Sequence, residues 1–129
     1  MLIKPECHLW GENFRPSELN KISNIELRLV DEPEEKGTTG KYKDKTLPYG
    51  ACCVCTPESI PVPNRITWMA KFIEENKSKF IDAGATDITF WIYWYGVQGN
   101  MEFTANELSK ISALNIPLCI DYIFQDEEE

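Results

Sequence analysis

The sequence predicts a single α+β domain over residues 1–125, followed by an acidic tail at 126–129. Three observations predict it. First, a short unit recurs: Phe14-Arg-Pro-Ser-Glu-Leu-Asn-Lys-Ile-Ser23 reads like Phe103-Thr-Ala-Asn-Glu-Leu-Ser-Lys-Ile-Ser112. Each copy follows an aromatic segment ending in Gly and precedes another strand-like run, so each reads strand, short helix, strand. Second, the segments follow the order β-α-β-β-α-β-α-β, which lacks the strict alternation of a doubly wound parallel sheet. Third, 129 residues at 43% hydrophobic content suit one core. The expected architecture is a mixed or antiparallel sheet of about five strands with three helices on one face. Two copies of a repeat suit a pseudo-symmetric domain, since a solenoid needs at least three.

Each element has its own signal. His8-Leu9-Trp10-Gly11 ends the first strand. The first helix places Arg15 at the cap and Pro16 at its first position, where a missing N–H costs nothing. Glu18 then falls in the first turn, and Leu19 and Ile22 share a face. Ile25 to Val30 reads as the second strand, and the polar stretch Asp31 to Thr46, with Gly37 and Gly40, as a loop. Tyr49 to Thr56 is strand-like, and Pro57, Pro61 and Pro63 enforce an extended connection. A longer helix is expected after Asn64, with an apolar stripe of Ile66, Met69, Phe72, Ile73 and Phe80 and a stop at Gly84. Asp87 to Tyr95 is apolar or aromatic on both faces, which suits a central strand. In the second copy Thr104 and Glu107 have capping-box spacing, Leu108 and Ile111 share a face, and Ile116 to Phe124 forms the last strand.

The formal net charge is −8, from 13 basic and 21 acidic residues. Most of it sits in two segments: the tail from Asp126 to Glu129, and Asp31, Glu32, Glu34 and Glu35 offset by Lys36. So acidic a chain lacks the clustered Lys and Arg that general nucleic-acid binding needs. No run approaches the ~20 apolar residues of a membrane span, and the N-terminus lacks the apolar region of a signal peptide. The five cysteines, an odd number, suit reduced thiols in a cytoplasmic protein.

The second copy, from Met101 to Tyr122, contains Phe103, the Glu107-Leu108 pair and a strand ending in Asp121-Tyr122. With the Pro16 helix start and the Lys36-Gly37 loop, it resembles the bacterial domain-of-unknown-function family numbered 4279 (DUF4279). The resemblance spans almost the whole chain. It implies a small bacterial cytosolic α+β domain and assigns no catalytic residues.

No phosphate loop, dinucleotide fingerprint, His-Glu-x-x-His or nucleophile elbow is present. Cys52-Cys53-x-Cys55, with Cys7-His8, has the residue types of a zinc site. On a strand, however, Cys53 and Cys55 share one face while Cys52 points to the other, unlike the turn-borne pairs of structural zinc sites. The sequence therefore assigns no metal, no cofactor and no catalytic residue. His8, the one histidine, reads as structural. The expected function is a bacterial protein-binding module rather than an enzyme, an immunity protein neutralising a basic toxin such as a nuclease. Asp31, Glu32, Glu34 and Glu35 would meet the partner's cations. The alternative is a small-molecule binding or enzymatic domain, with an aromatic pocket lined by Trp91, Tyr93 and Tyr95.

Overall fold

Strand alternation sets the two faces of the molecule. In the computed structural model, which describes residues 2–97 and 99–125, the first strand, β1, spans Leu2–Gly11. Pro5, Cys7 and Leu9 are buried on one face. The intervening residues Lys4, Glu6, His8 and Trp10 point to the other, as the two-residue period of a strand requires. Pro5 is tolerated inside the sheet because the ladder to the neighbouring strand on that side begins at Glu6. Its carbonyl instead accepts from Thr56 Oγ1 at 2.7 Å.

Four further strands complete one mixed sheet: β2 (Leu27–Asp31), β3 (Gly50–Cys55), β4 (Asp87–Gly96) and β5 (Leu118–Phe124). Their order is β2-β3-β1-β4-β5. β1 is antiparallel to both β3 and β4, β2 is antiparallel to β3, and β5 runs parallel to β4. The α+β class with a mixed sheet is thus the fold of the chain. β4 lies inside the sheet, as its apolar composition predicts.

The internal repeat has a topological meaning. Since β3 is antiparallel to both β1 and β2, the unit β1–helix–β2 is a parallel crossover, like β4–helix–β5. The first crossover is split by β3, whereas the strands of the second are neighbours. The helices differ too. Pro16–Lys21 winds as a 3-10 helix, with Arg15 at its cap making no side-chain bond. α2 (Ala105–Ala113) is a true α-helix with the reciprocal Thr104–Glu107 capping box. Leu19 and Ile22 are both buried, but Leu108, the counterpart of Leu19, is half exposed while Ile111 is buried. The sequence likeness between the copies therefore exceeds their structural equivalence.

α1 (Arg65–Asp82) buries Ile66, Met69, Ile73 and Phe80 and packs across β1, with α2 resting against it. Gly84 follows with φ +106°, the left-handed position that ends the helix. Asn64 precedes α1, but its side chain makes no cap bond, and a 3-10 turn (Val62–Asn64) leads in. The last strand begins at Leu118 rather than Ile116, since Pro117 precedes it with its carbonyl accepting from Phe90 N at 2.9 Å. The second strand likewise starts at Leu27 rather than Ile25. The core lies between the helices and one sheet face, around Phe14, Phe80, Phe90, Leu9, Met69 and Ile73. No helix among the described residues is long and apolar enough to cross a membrane. The tail at 126–129 lies outside the described residues.

Candidate functional site

All the core-forming helices lie on one face of the sheet, where Cys7, Leu9, Cys52, Val54, Phe90 and Ile92 are buried. The alternate positions build the opposite face. From β1 come Lys4, Glu6, His8 and Trp10, from β3 Cys53 and Cys55, from β4 Trp91, Tyr93 and Tyr95, and from β2 Arg28. The result is a shallow polar and aromatic surface with a buried charge at its centre.

That charge is Glu6, only 6% exposed. Arg28 Nε donates to Glu6 Oε2 at 2.7 Å and Nη2 donates to Oε1 at 2.8 Å, a bidentate fork. Arg28 Nη2 also donates to the Tyr93 hydroxyl at 3.2 Å. His8 Nε2 lies 3.0 Å from Glu6 Oε1. Burial alone would raise the Glu6 pKa, but the hydrogen bonds from His8 and Arg28 and the Arg28 charge outweigh it. They hold the carboxyl below its ordinary range. The same pairing raises the Arg28 pKa. The carboxylate is therefore fixed as an anion with both oxygens engaged.

The rings are arranged in a row. His8 stacks on Trp91 with centroids 4.4 Å apart and planes 11° from parallel. Trp91, Tyr93 and Tyr95 then follow along β4 at spacings of 6.4 and 6.5 Å. Trp91 Nε1 donates to Asp121 Oδ2 on β5 at 3.0 Å. Arg28 lies over the Tyr93 ring and Lys4 over the Tyr95 ring. Trp91, Tyr93 and Tyr95 are each partly exposed, and Trp10 is 38% exposed. Beside Tyr93 and Tyr95 a cleft of about 450 Å³ opens, bordered by Lys4, Glu6, Arg28, Glu26 and Glu58. Its floor is rigid at one end, because Arg65 donates to the carbonyls of Ile60, Ile3 and Glu58 and ties the proline-rich connection to β1.

The cysteines divide between the two faces as the strand period requires. Cys7 and Cys52 pack in the core, where burial raises both thiols, Cys52 to about 12. Cys53 and Cys55 face the site. Burial, then the Glu6 charge, pushes the Cys53 thiol up to about 11. Cys55 is raised for the same two reasons, and its Sγ lies 3.9 Å from Glu6 Oε2. Both are neutral thiols at neutral pH, the opposite of an activated nucleophile. The donor atoms of Glu6, His8 and Cys53 all lie within 4.8 Å of one another.

The acidic residues of the Asp31 loop sit elsewhere. Glu32 accepts from the Ser17 backbone N–H at 2.6 Å and so caps the first turn of the 3-10 helix. Glu34 lies 3.7 Å from Arg15. Asp31 ends β2 near Tyr49, and Glu35 is exposed. Two of the four therefore have intramolecular work. Of the sequence-selected residues, Trp91, Tyr93 and Tyr95 come together on one face. Glu6 and Arg28, 22 residues apart, are the centre that sequence reasoning missed. The period-2 pattern of β1 places Glu6 beside His8 on one face, but the partner strands that bring Arg28 and Cys53 are set by long-range register. Comparison with protein-family models, curated proteins and solved structures gives no match.

Proposed function

We propose that the protein is a non-enzymatic binding module and that the uncovered sheet face is its contact surface. The observation that carries this reading is the row His8, Trp91, Tyr93 and Tyr95, left partly exposed on a sheet whose other face holds the helices. Trp, Tyr and Arg are the residue types that dominate binding energy at protein interfaces, and here they stand on rigid strands around a fixed ion pair. A strand-borne surface needs little ordering on association, so its rings lose little conformational entropy when they are covered.

The partner this surface suits best is a basic protein, in line with an immunity protein acting on a cationic toxin. The rim carries Glu26 and Asp121 beside the rings, while Arg28 is paired with Glu6, and Lys4 and Arg65 with Glu58. A second reading, small-molecule binding, has one observation in its favour. The cleft beside Tyr93 and Tyr95 has a volume within the range of ligand sites.

The test is titration calorimetry against any cationic protein encoded by an adjacent gene. The reading predicts a complex that weakens steeply with salt and loses at least ~30-fold in affinity in Trp91→Ala/Tyr93→Ala, about 2 kcal/mol. A complex that ignores those substitutions but needs Asp31, Glu32, Glu34 and Glu35 would move the contact surface to the loop. Absence of any complex would overturn the protein-binding reading.

A further inference from the structure

Four residues on the open face form a rectangle on two adjacent antiparallel strands. Glu6 stands directly opposite Cys55, and His8 directly opposite Cys53. Directly opposed side chains on one face begin about 5 Å apart at Cβ. The tips converge: along β1 His8 Nε2 is 3.0 Å from Glu6 Oε1, and across the strands Cys55 Sγ is 3.9 Å from Glu6 Oε2. Cys53 Sγ completes a trio with Glu6 and His8 within 4.8 Å.

We propose that Glu6, His8 and Cys53, with Cys55 turning in from beside Glu6 as the fourth donor, form a binding site for a zinc-class divalent cation, an assignment independent of the partner reading above. The donor set is one imidazole nitrogen, one carboxylate oxygen and two sulfurs, the mixture that borderline-soft zinc takes in four-coordinate sites. Zn–N and Zn–S lengths of about 2.0 and 2.3 Å put tetrahedral neighbours roughly 3.3–3.8 Å apart. The largest separation in the trio therefore has to close by no more than about 1 Å, within the reach of side-chain rotation. The cation takes the place of the proton between His8 Nε2 and Glu6 Oε1. His8 then carries its proton on Nδ1, and Cys53 and Cys55 each release one proton to solvent as the metal–sulfur bonds form.

The surroundings fit a metal. Two thiolates, one carboxylate and a divalent cation leave one net negative charge, and Arg28 sits against Glu6 to offset it. Arg28 binds the carboxylate through its fork and leaves lone pairs free on both oxygens, since a carboxylate has about four acceptor positions. It thereby acts as the outer partner that orients a ligating carboxylate. The Trp91 ring stacked on His8 fixes the plane of the imidazole. The site is also enclosed, with the side chain of Glu6 8% exposed and that of His8 23% exposed.

The test is cobalt titration of the reduced full chain, followed by competition with zinc. The expected result is one cobalt per chain, with a thiolate-to-cobalt charge-transfer band and the visible bands of tetrahedral cobalt, all removed by zinc. The charge-transfer intensity should fall by about half in Cys53→Ser and in Cys55→Ser, and vanish in the double variant. His8→Ala and Glu6→Gln should each weaken zinc binding by at least ~10-fold. Cys119→Ser, which alters a thiol on β5, should leave spectrum and affinity unchanged. Circular dichroism reports folding of each variant, and Cys55→Ser, at a part-exposed position, stands in if Cys53→Ser unfolds. No band in the wild-type protein, or a band that survives loss of both Cys53 and Cys55, overturns the proposal.

Discussion

At the residue scale the central interaction is the fork between Glu6 and Arg28. Glu6 is almost fully enclosed and Arg28 partly open, so the pair is not a surface salt bridge of negligible worth. Removing Arg28 strands a buried carboxylate. Arg28→Met should cost about 2–3 kcal/mol in urea unfolding, below the fully buried case because Arg28 is solvated on one side. Adding Glu6→Gln to Arg28→Met should recover most of the loss, since the stranded charge is gone. The Glu6 pKa is lowered on folding despite its burial. Between that lowered value and the ordinary 4.5, the unfolded chain binds more protons than the folded one. The contribution of Glu6 is therefore fully present above 4.5 and fades as pH falls through the folded-state value. In metal-free protein, Glu6→Gln should flatten the acid limb of the stability–pH curve. An unchanged limb would contradict the shift.

At the element scale the boundaries follow local chemistry where local chemistry is strong. The Thr104–Glu107 box and the Gly84 stop were both legible because capping and left-handed glycine are short-range effects. The likeness between the two copies misleads at Leu108, because the exposure of that position depends on what packs beside α2, which sequence spacing does not encode. The 3-10 winding of Pro16–Lys21 was also invisible; its first turn is secured by Glu32 from a distant loop. Two substitutions test these points by thermal or urea unfolding. Thr104→Ala should cost about 1 kcal/mol through the lost cap. Gly84→Ala should cost more, about 1–3 kcal/mol. Its φ is +106°, and a Cβ there would clash with the Asn13 carbonyl oxygen. Equal effects from the two would contradict the strained position assigned to Gly84.

At the scale of the whole molecule, placing the helices on one face leaves the other to be covered by a partner or exposed to water. The sequence shows that Asp87 to Tyr95 is apolar and aromatic on both faces, but not that Ile88, Phe90 and Ile92 turn inward while Trp91, Tyr93 and Tyr95 turn outward. That choice is made by α1 and by the β1 register, both long-range. The same register gathers Glu6, His8, Cys53 and Cys55, which lie up to 49 residues apart. From sequence, the −8 charge points to the Asp31 loop and the tail, yet among the described residues the densest polar network lies on the sheet. Substitutions on the two faces should therefore separate. Phe90→Ala in the core should cost about 3–5 kcal/mol, whereas Tyr95→Ala on the open face should cost under about 1.5 kcal/mol in denaturant unfolding.

The most direct measurement is hydroxyl-radical footprinting of the protein alone and with the basic protein that the proposed reading calls for. The account predicts that Trp10, Trp91, Tyr93 and Tyr95 oxidise in the free protein while Phe14, Phe80 and Phe90 do not, and that the partner protects the first group. Rings on β4 that are as inert as Phe90 in the free protein, or that stay equally reactive in the complex, would contradict it.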